Sequence, residues 1–438
     1  MIKNIFKYIV AFMATTIIFL LALILISSIP KEYIENNIKK SSEELLEQSE
    51  SIFVNSNGRS IYNHNSTDAI MLNIIYSIDR DNLLESVLRA RRNYIPDVST
   101  KFVEDTVGNL KFNSKRFLMT EELYNLVTDN NQKVFDYARY WHGYMVILIP
   151  LLLLFDVLEI RIILQMILLF AFVILLYYIS KRRNWKYSLI YLLVFLAFDL
   201  LAWITTIQGI LVMIIAVLFS LFIANGKINS KNLNLCLFFS GALTVYLDFF
   251  TTPTMTLLLP IITYKLVNLE ESTFIKELIN IIKNGVAWLL GYLGIWIMKW
   301  AITDLVLNTE IIKLSFEQIV LRIGIGGKKV NENLNLFALF KNCIYSANIL
   351  NIMTYIITFI SGLILLVKKN IKYYFKSSKL CYYICTIIPI AWFFIVANHS
   401  EQHYFFTYRT LLITLLGSML IVFDNRKNKE NEDVKKDA

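Results

Sequence analysis

The sequence predicts an all-α polytopic membrane protein: about ten transmembrane helices with a large helical first loop on the extracytoplasmic side. Three observations predict it. Of the 438 residues 56% are hydrophobic and 14% aromatic, and only 18% are charged, against about 25% in a soluble domain. Several apolar runs reach the roughly 20 residues that span a bilayer as a helix. Lys and Arg gather in alternate connections between those runs, as cytoplasmic loops require.

The first run, Ile9 to Ile29, follows Lys3 and Lys7. It is long for a signal-peptide core and no small-x-small cleavage site follows it, so it reads as an uncleaved helix with its N-terminus inside. Residues 30–144 are polar and mixed in charge, and form the large loop. The stretch GYMVILIPLLLLF (143–155) holds a proline and ends at Asp156, Glu159 and Arg161. It is short for a span and reads as an interfacial or re-entrant piece. The remaining spans are expected at 161–180, 187–205, 209–224, 235–250, 253–267, 285–303, 347–367, 380–397 and 406–423.

The connections KRRNWK (181–186), NGKINSKN (225–232), Lys265 to Lys283 and KKNIKYYFKSSK (368–379) then all fall inside, and the charged tail 425–438 with them. Residues 30–144, 304–346 and 397–406 fall outside, and 145–424 form the bundle. The net charge of +9 lies mostly in these cytoplasmic connections, so it argues for topology and against nucleic-acid binding. The lean towards Ile, Lys and Asn fits an AT-rich bacterial genome, and the expected place is a bacterial plasma membrane with both termini cytoplasmic. The four cysteines include Cys381 and Cys385 at i,i+4 in an apolar run; these read as small core residues, with no disulfide and no metal site expected.

Chemistry-bearing residues collect on the expected outer side. All four histidines, His64, His142, His399 and His403, lie there. Asp199 in LAFDLLAW and Asp248 in YLDFFTTPT sit at outer ends of spans. A carboxylate at that depth normally faces a wet cavity or the bundle interior, although headgroup solvation also accounts for it. Asp68 opens the apolar-faced helix TDAIMLN; it reads either as a first-turn carboxylate that stabilises the helix or as a base held at the membrane surface. FDYARYWHGY (135–144) brings Arg139, Trp141 and His142 to the interface, and HYFFTYR (403–409) adds His403 and Arg409. Aromatic and basic clusters of this kind suit sugar faces and phosphates. Arg322, Lys328 and Lys329 flank a Gly-rich turn, LRIGIGGKKVNEN, that lacks the P-loop spacing but offers phosphate donors.

On TDAIMLN, ARYWHGY, LDFFTTPT and HYFFTYR the chain is similar to polytopic membrane proteins of Gram-positive bacteria. Its layout of one span, a large outer loop with an acidic residue near a helix start, and a further bundle resembles the GT-C glycosyltransferases. The resemblance implies an inverting enzyme with a polyprenyl-phosphate-linked sugar donor, a glycan or lipid acceptor, and membrane lipids around it. It implies Asp68 as base, His142 as its orienting partner, and Arg322, Lys328, Lys329 and Arg409 as phosphate donors. Arg139, Trp141, Asp199, Asp248 and His403 would line the substrate site, and a divalent cation, magnesium or manganese, is compatible with it. Where many members carry an acidic pair, Asp68 is followed by Ala69. A transporter or flippase, a polysaccharide polymerase or ligase, and an assembly protein are the competing readings.

Overall fold

The computed structural model describes residues 2–47, 52–54, 60–62, 64–94, 118–128, 133–268, 273–323, 334–369 and 376–424. Among the described residues seven helices are long and apolar enough to cross a membrane: Phe6–Ser27, Val157–Arg182, Ile207–Ala224, Phe274–Leu307, Ile349–Lys368, Ser377–Ile395 and Tyr404–Phe423. Two shorter apolar helices, Trp185–Ala197 and Met255–Val267, stand among them. The chain is an all-α polytopic membrane protein. The ten apolar runs expected as spans all fall on helices, but only seven have the length and hydropathy of a full crossing.

Each boundary has a local cause. Asp156 closes the apolar stretch at 155 and opens α7 (Val157–Arg182). Its carboxylate accepts from the Leu158 and Glu159 amides at 3.0 and 2.9 Å, and Glu159 reaches back to the Asp156 amide at 3.0 Å. This capping box satisfies donors that would otherwise be orphaned. Asn184 and Asn229 cap α8 (Trp185–Ala197) and α10 (Ser230–Leu247) with their side-chain oxygens alone, accepting from the Lys186 amide and from the Lys231 and Asn232 amides. The stretch expected to be interfacial is an eight-residue helix, α6 (Met145–Leu152), with Met145, Leu148, Ile149 and Leu152 buried. It packs against α1 (Ile2–Ser27).

Helix α9 (Ile207–Ala224) is packed between α7 and α11 (Met255–Val267). Gly241 of α10 and Gly291 allow the closest helix approach. A Cβ at Gly241 would lie 2.3 Å from the Trp288 carbonyl oxygen, and one at Gly291 would lie 2.0 Å from that of Phe238. Small residues bring helices together this way where lipid gives no hydrophobic drive for association. At this contact the long helix 274–307 passes through one π turn, Leu290–Gly294, between α12 (Phe274–Leu289) and α13 (Ile295–Leu307).

The two ends of the bundle differ. At one end Arg183, Tyr187 and Tyr382 all donate to the Asp424 carboxylate, at 2.7, 3.0 and 2.8 Å, and Arg182 donates to the Ala224 carbonyl. At the other end sits the first loop: α2 (Glu35–Glu47), α3 (Asn65–Tyr76), α4 (Leu83–Arg89), α5 (Leu118–Thr128) and two short antiparallel pairs. In the pairs Phe53 opposes Ile61, and Arg92 opposes Phe135. The loop is tied to the bundle by Lys40 to Asp156 at 2.6 Å and by the His64 amide to the Thr205 carbonyl at 3.0 Å. Two further helices, α14 (Ile311–Ile323) and α15 (Leu334–Ser346), cover this end with α18 (Ala397–Gln402).

Candidate functional site

Asp68 points into the protein. Its side chain is fully buried and pairs with Arg161 of α7 at 2.7 Å, and the Ile207 amide at the start of α9 donates to it at 3.2 Å. Arg161 also holds Asn65 at 3.0 Å. Both carboxylate oxygens are committed, so Asp68 reaches a proton only by giving up Arg161. The residue expected as the base therefore acts as a pin between the first loop and two bundle helices.

His142, expected to orient that base, lies elsewhere. It sits at φ 59°, a left-handed conformation that is costly for a side chain of this size. Its ring nitrogens are both engaged, Nδ1 with the Tyr144 hydroxyl at 3.2 Å and Nε2 with the Tyr137 carbonyl at 2.8 Å. Burial lowers its pKa to about 3, against the raising effect of the Tyr137 bond, so the ring is neutral at physiological pH. The Tyr137 carbonyl can only accept, which places the Nε2 proton on that bond.

Around His142 the chain builds an aromatic vault. Tyr137, Tyr140, Phe249, Phe250 and Trp296 meet there, with Tyr140 stacked on Trp296 at 5.7 Å and tilted on Phe249 at 5.1 Å. Phe250 is held at φ 77°, an outlier for a bulky residue. The turn that forces it is closed by Asp248, which accepts from the Thr251 amide at 2.8 Å and from the Thr251 hydroxyl at 2.7 Å. Asp248 thus shapes the vault wall.

Two arginines face this wall. Arg322 of α14 donates to the Tyr140 hydroxyl at 2.6 Å and lies 5.0 Å from the Phe250 ring centre. Arg139 lies 5.4 Å from the Tyr137 ring centre. Its backbone carbonyl is fixed by the Trp296 and Trp300 indoles at 2.5 and 2.8 Å. Among the described residues neither guanidinium has a carboxylate within ion-pair distance. Both are half-buried. Burial holds the Tyr140 hydroxyl above its ordinary pKa, so it stays protonated.

On the far side of Phe250 lies a histidine pair. The His399 and His403 rings are 4.7 Å apart, and His399 is edge-on to Phe250 at 4.9 Å. Burial lowers both pKa values, that of His403 to about 3, and the Arg322 charge adds to the effect. The nitrogens His399 Nε2 and His403 Nδ1 have no hydrogen-bond partner.

The structure thus brings Arg139, His142 and Arg322 to one vault, with Asp248 beneath it, and sets His403 behind His399 on the far side of Phe250. Trp141 stands behind it, fully buried, with its indole donating to the Ile295 carbonyl at 2.9 Å. Asp199, at φ 56°, accepts from Asn348 at 3.3 Å and from Tyr408 at 3.2 Å, and so ties α8 to the start of α16 (Ile349–Lys369) and to the 404–410 stretch. Arg409 lines a separate small cavity. Lys328 and Lys329 lie outside the described residues. Sequence reasoning put Tyr140 and His399 on the outer side without making either a site residue, and it passed over Phe250 and Trp296. The LDFFTTPT turn and the aromatic spacing of ARYWHGY were the available signals, but nothing in the sequence joins them to α13.

A divalent cation prefers carboxylate and carbonyl oxygens. The vault offers arginines, phenols and neutral imidazoles, and no group of three or more His, Cys, Asp or Glu side chains among the described residues could hold a metal. These residues do not fit a hard divalent ion. No family model, no curated protein and no solved structure matches this chain.

Proposed function

We propose that the protein is a membrane glycosyltransferase that takes a polyprenyl-phosphate-linked sugar at the loop end of the bundle and transfers it to a cell-surface glycan or lipid. The observation that carries this is the pair Arg139 and Arg322, two half-buried guanidiniums over one aromatic wall with no carboxylate in ion-pair distance. Guanidinium forks match phosphate oxygens, and aromatic faces match the apolar faces of sugar rings. The topology fits a bacterial plasma membrane with the basic end of the bundle cytoplasmic and the vault outside.

In this reading the acceptor hydroxyl oxygen attacks the anomeric carbon. The bond from that carbon to the donor phosphate oxygen breaks with inversion, and the polyprenyl phosphate leaves with the electron pair. Arg139 and Arg322 stabilise its charge. The acceptor proton passes to a neutral nitrogen, His403 Nδ1, which has no hydrogen-bond partner and whose burial-lowered pKa rises when the anionic donor binds beside Arg322. Asp68 keeps its structural pairing throughout.

The test is binding of polyprenyl phosphate to the full chain in nanodiscs. Wild type binds saturably, Arg322→Gln binds weakly, and His403→Gln binds normally yet transfers no sugar. Equal binding by wild type and Arg322→Gln refutes the reading.

A further inference from the structure

At the end of the bundle away from the vault lies a cavity of about 130 Å³ that the transferase reading does not use. Helices α10, α11, α12 and α17 (Leu380–Ile395) wall it. Ser230 at the start of α10 lines it, whereas the far end of α10 leads into the Asp248 turn of the vault. The two sites thus stand a helix length apart, roughly 27 Å at 1.5 Å per residue. The lining carries Lys265 of α11 and Lys276, Glu277, Asn280, Lys283 and Asn284 of α12. Lys265 and Glu277 pair at 2.6 Å, and both are buried. Asn284 is 8% exposed, and its amide has no hydrogen-bond partner among the described residues. Lys276 and Lys283 are exposed at the mouth, and among the described residues no carboxylate lies within ion-pair distance of either.

Spacings of three and four residues put these polar side chains on one face of α12. The other face leaves Phe274, Ile275, Ile279 and Ile282 exposed, on a helix long and apolar enough to cross a membrane. That apolar face meets lipid tails, and the basic mouth beside the first turns of the helix opens at headgroup depth. Size admits a ligand, since a cavity of about 150 Å³ takes benzene and a phosphoryl group is smaller. Charge selects an anion, because three lysines stand against one glutamate in the lining, and Lys265 already answers that glutamate. The Asn280 and Asn284 amides both donate and accept, which suits hydroxyls carried next to a phosphate.

We propose that this cavity binds a phosphoryl group bearing hydroxyls, as the headgroup of an anionic glycerophospholipid presents it. Lys276 and Lys283 hold the phosphate at the mouth, and Asn280 and Asn284 hold the hydroxyls within. The buried pair of Lys265 and Glu277 forms the floor and fixes α11 to α12. A soluble glycerol phosphate offers the same chemistry, and the lipid-facing side of α12 beside the mouth favours the lipid form. The site stands on its own geometry and does not depend on sugar transfer.

The test uses the full chain in detergent at constant ionic strength. Short-chain phosphatidylglycerol is titrated while thermal midpoint and calorimetric heat are followed, with short-chain phosphatidylcholine as control. A second arm titrates glycerol phosphate. A saturable rise in wild type with phosphatidylglycerol, absent with phosphatidylcholine, supports the site with a lipid head as ligand, and a rise with glycerol phosphate alone supports it with a soluble one. Lys276→Gln/Lys283→Gln weakens the apparent affinity by roughly tenfold or more. Asn284→Leu does the same without altering charge, and so does Lys265→Met/Glu277→Leu, which removes the ion pair whole. The control Lys181→Gln/Lys186→Gln removes two exposed lysines that do not line the cavity and leaves the affinity unchanged. Lys276 and Lys283 are exposed, so their double variant is expected to fold and carries the test should Asn284→Leu not fold. No saturable response in either arm for wild type, an equal response to phosphatidylcholine, a response kept in Lys276→Gln/Lys283→Gln, or an equal loss in the control overturns the proposal. Loss of polyprenyl-phosphate binding in Arg322→Gln with this response intact separates the two sites.

Discussion

Asp68 and Arg161 stand 93 residues apart in sequence and 2.7 Å apart in space, both buried, and Asn65 completes the group from the same loop helix. Removing one member of such a pair leaves an uncompensated charge, which costs about 3–5 kcal/mol. Asp68→Asn is therefore expected to lower the thermal midpoint of the purified protein, with Arg161→Gln doing the same. The double variant Asp68→Leu/Arg161→Met should recover much of the loss, since an apolar pair replaces the ions. A folded, fully stable Asp68→Asn protein without activity would restore Asp68 as the base.

Arg322 and Tyr140 give the vault its charge and its donor. A hydrogen bond to a charged group contributes about 1.5–3 kcal/mol. Arg322→Gln should thus weaken polyprenyl-phosphate binding by roughly 10- to 150-fold. Tyr140→Phe frees the guanidinium from its phenol and keeps the ring, so its effect should be a few-fold at most. Equilibrium binding in nanodiscs reads both.

Acid sensitivity follows from the histidines. His142 has a folded pKa of about 3 against an unfolded value near 6.5. The unfolded chain therefore binds the proton first, and stability falls as pH drops from 6.5 towards 3, by up to about 1.4 kcal/mol per unit. Above pH 6.5 this contribution is constant. His142→Asn accepts the left-handed backbone and does not titrate, so it should flatten the slope of midpoint against pH between 4 and 6. An unchanged slope would assign the acid sensitivity to other groups.

Gly241 packs against the Trp288 carbonyl, where a Cβ would lie 2.3 Å from the oxygen. A backbone atom yields less than a side-chain tip, so Gly241→Ala should force α10 and α12 apart and cost about 1–3 kcal/mol. Gly285 has open space around its Cβ position, and Gly285→Ala serves as the neutral control in the same unfolding assay.

The helices were legible because hydropathy and length report directly on burial in lipid, and the ten apolar runs all became helices. Their lengths were less legible. Trp185–Ala197 stops at Asp199, where a left-handed residue and a 3₁₀ stretch replace the last turns, and composition does not announce such a break. Arg161 closed an apolar stretch in the sequence, and only the fold shows it answering Asp68. The aromatic-basic character of ARYWHGY and HYFFTYR was visible, whereas the meeting of Tyr140 with Trp296 and Arg322 depends on packing over more than 150 positions. Lys265 to Lys283 read only as a basic connection, since the cavity that those two residues line is a property of packing.

The Arg139 carbonyl accepts from two indoles one helical turn apart, Trp296 and Trp300. One backbone oxygen of the loop is thereby geared to a single face of α13. A ligand that shifts the Arg139 backbone must therefore break these bonds or carry that face with it, and the π turn at Leu290–Gly294 lies next to that face. The loop and the long helix form one mechanical train, so that a contact made outside the bundle can be felt along a helix that runs through it.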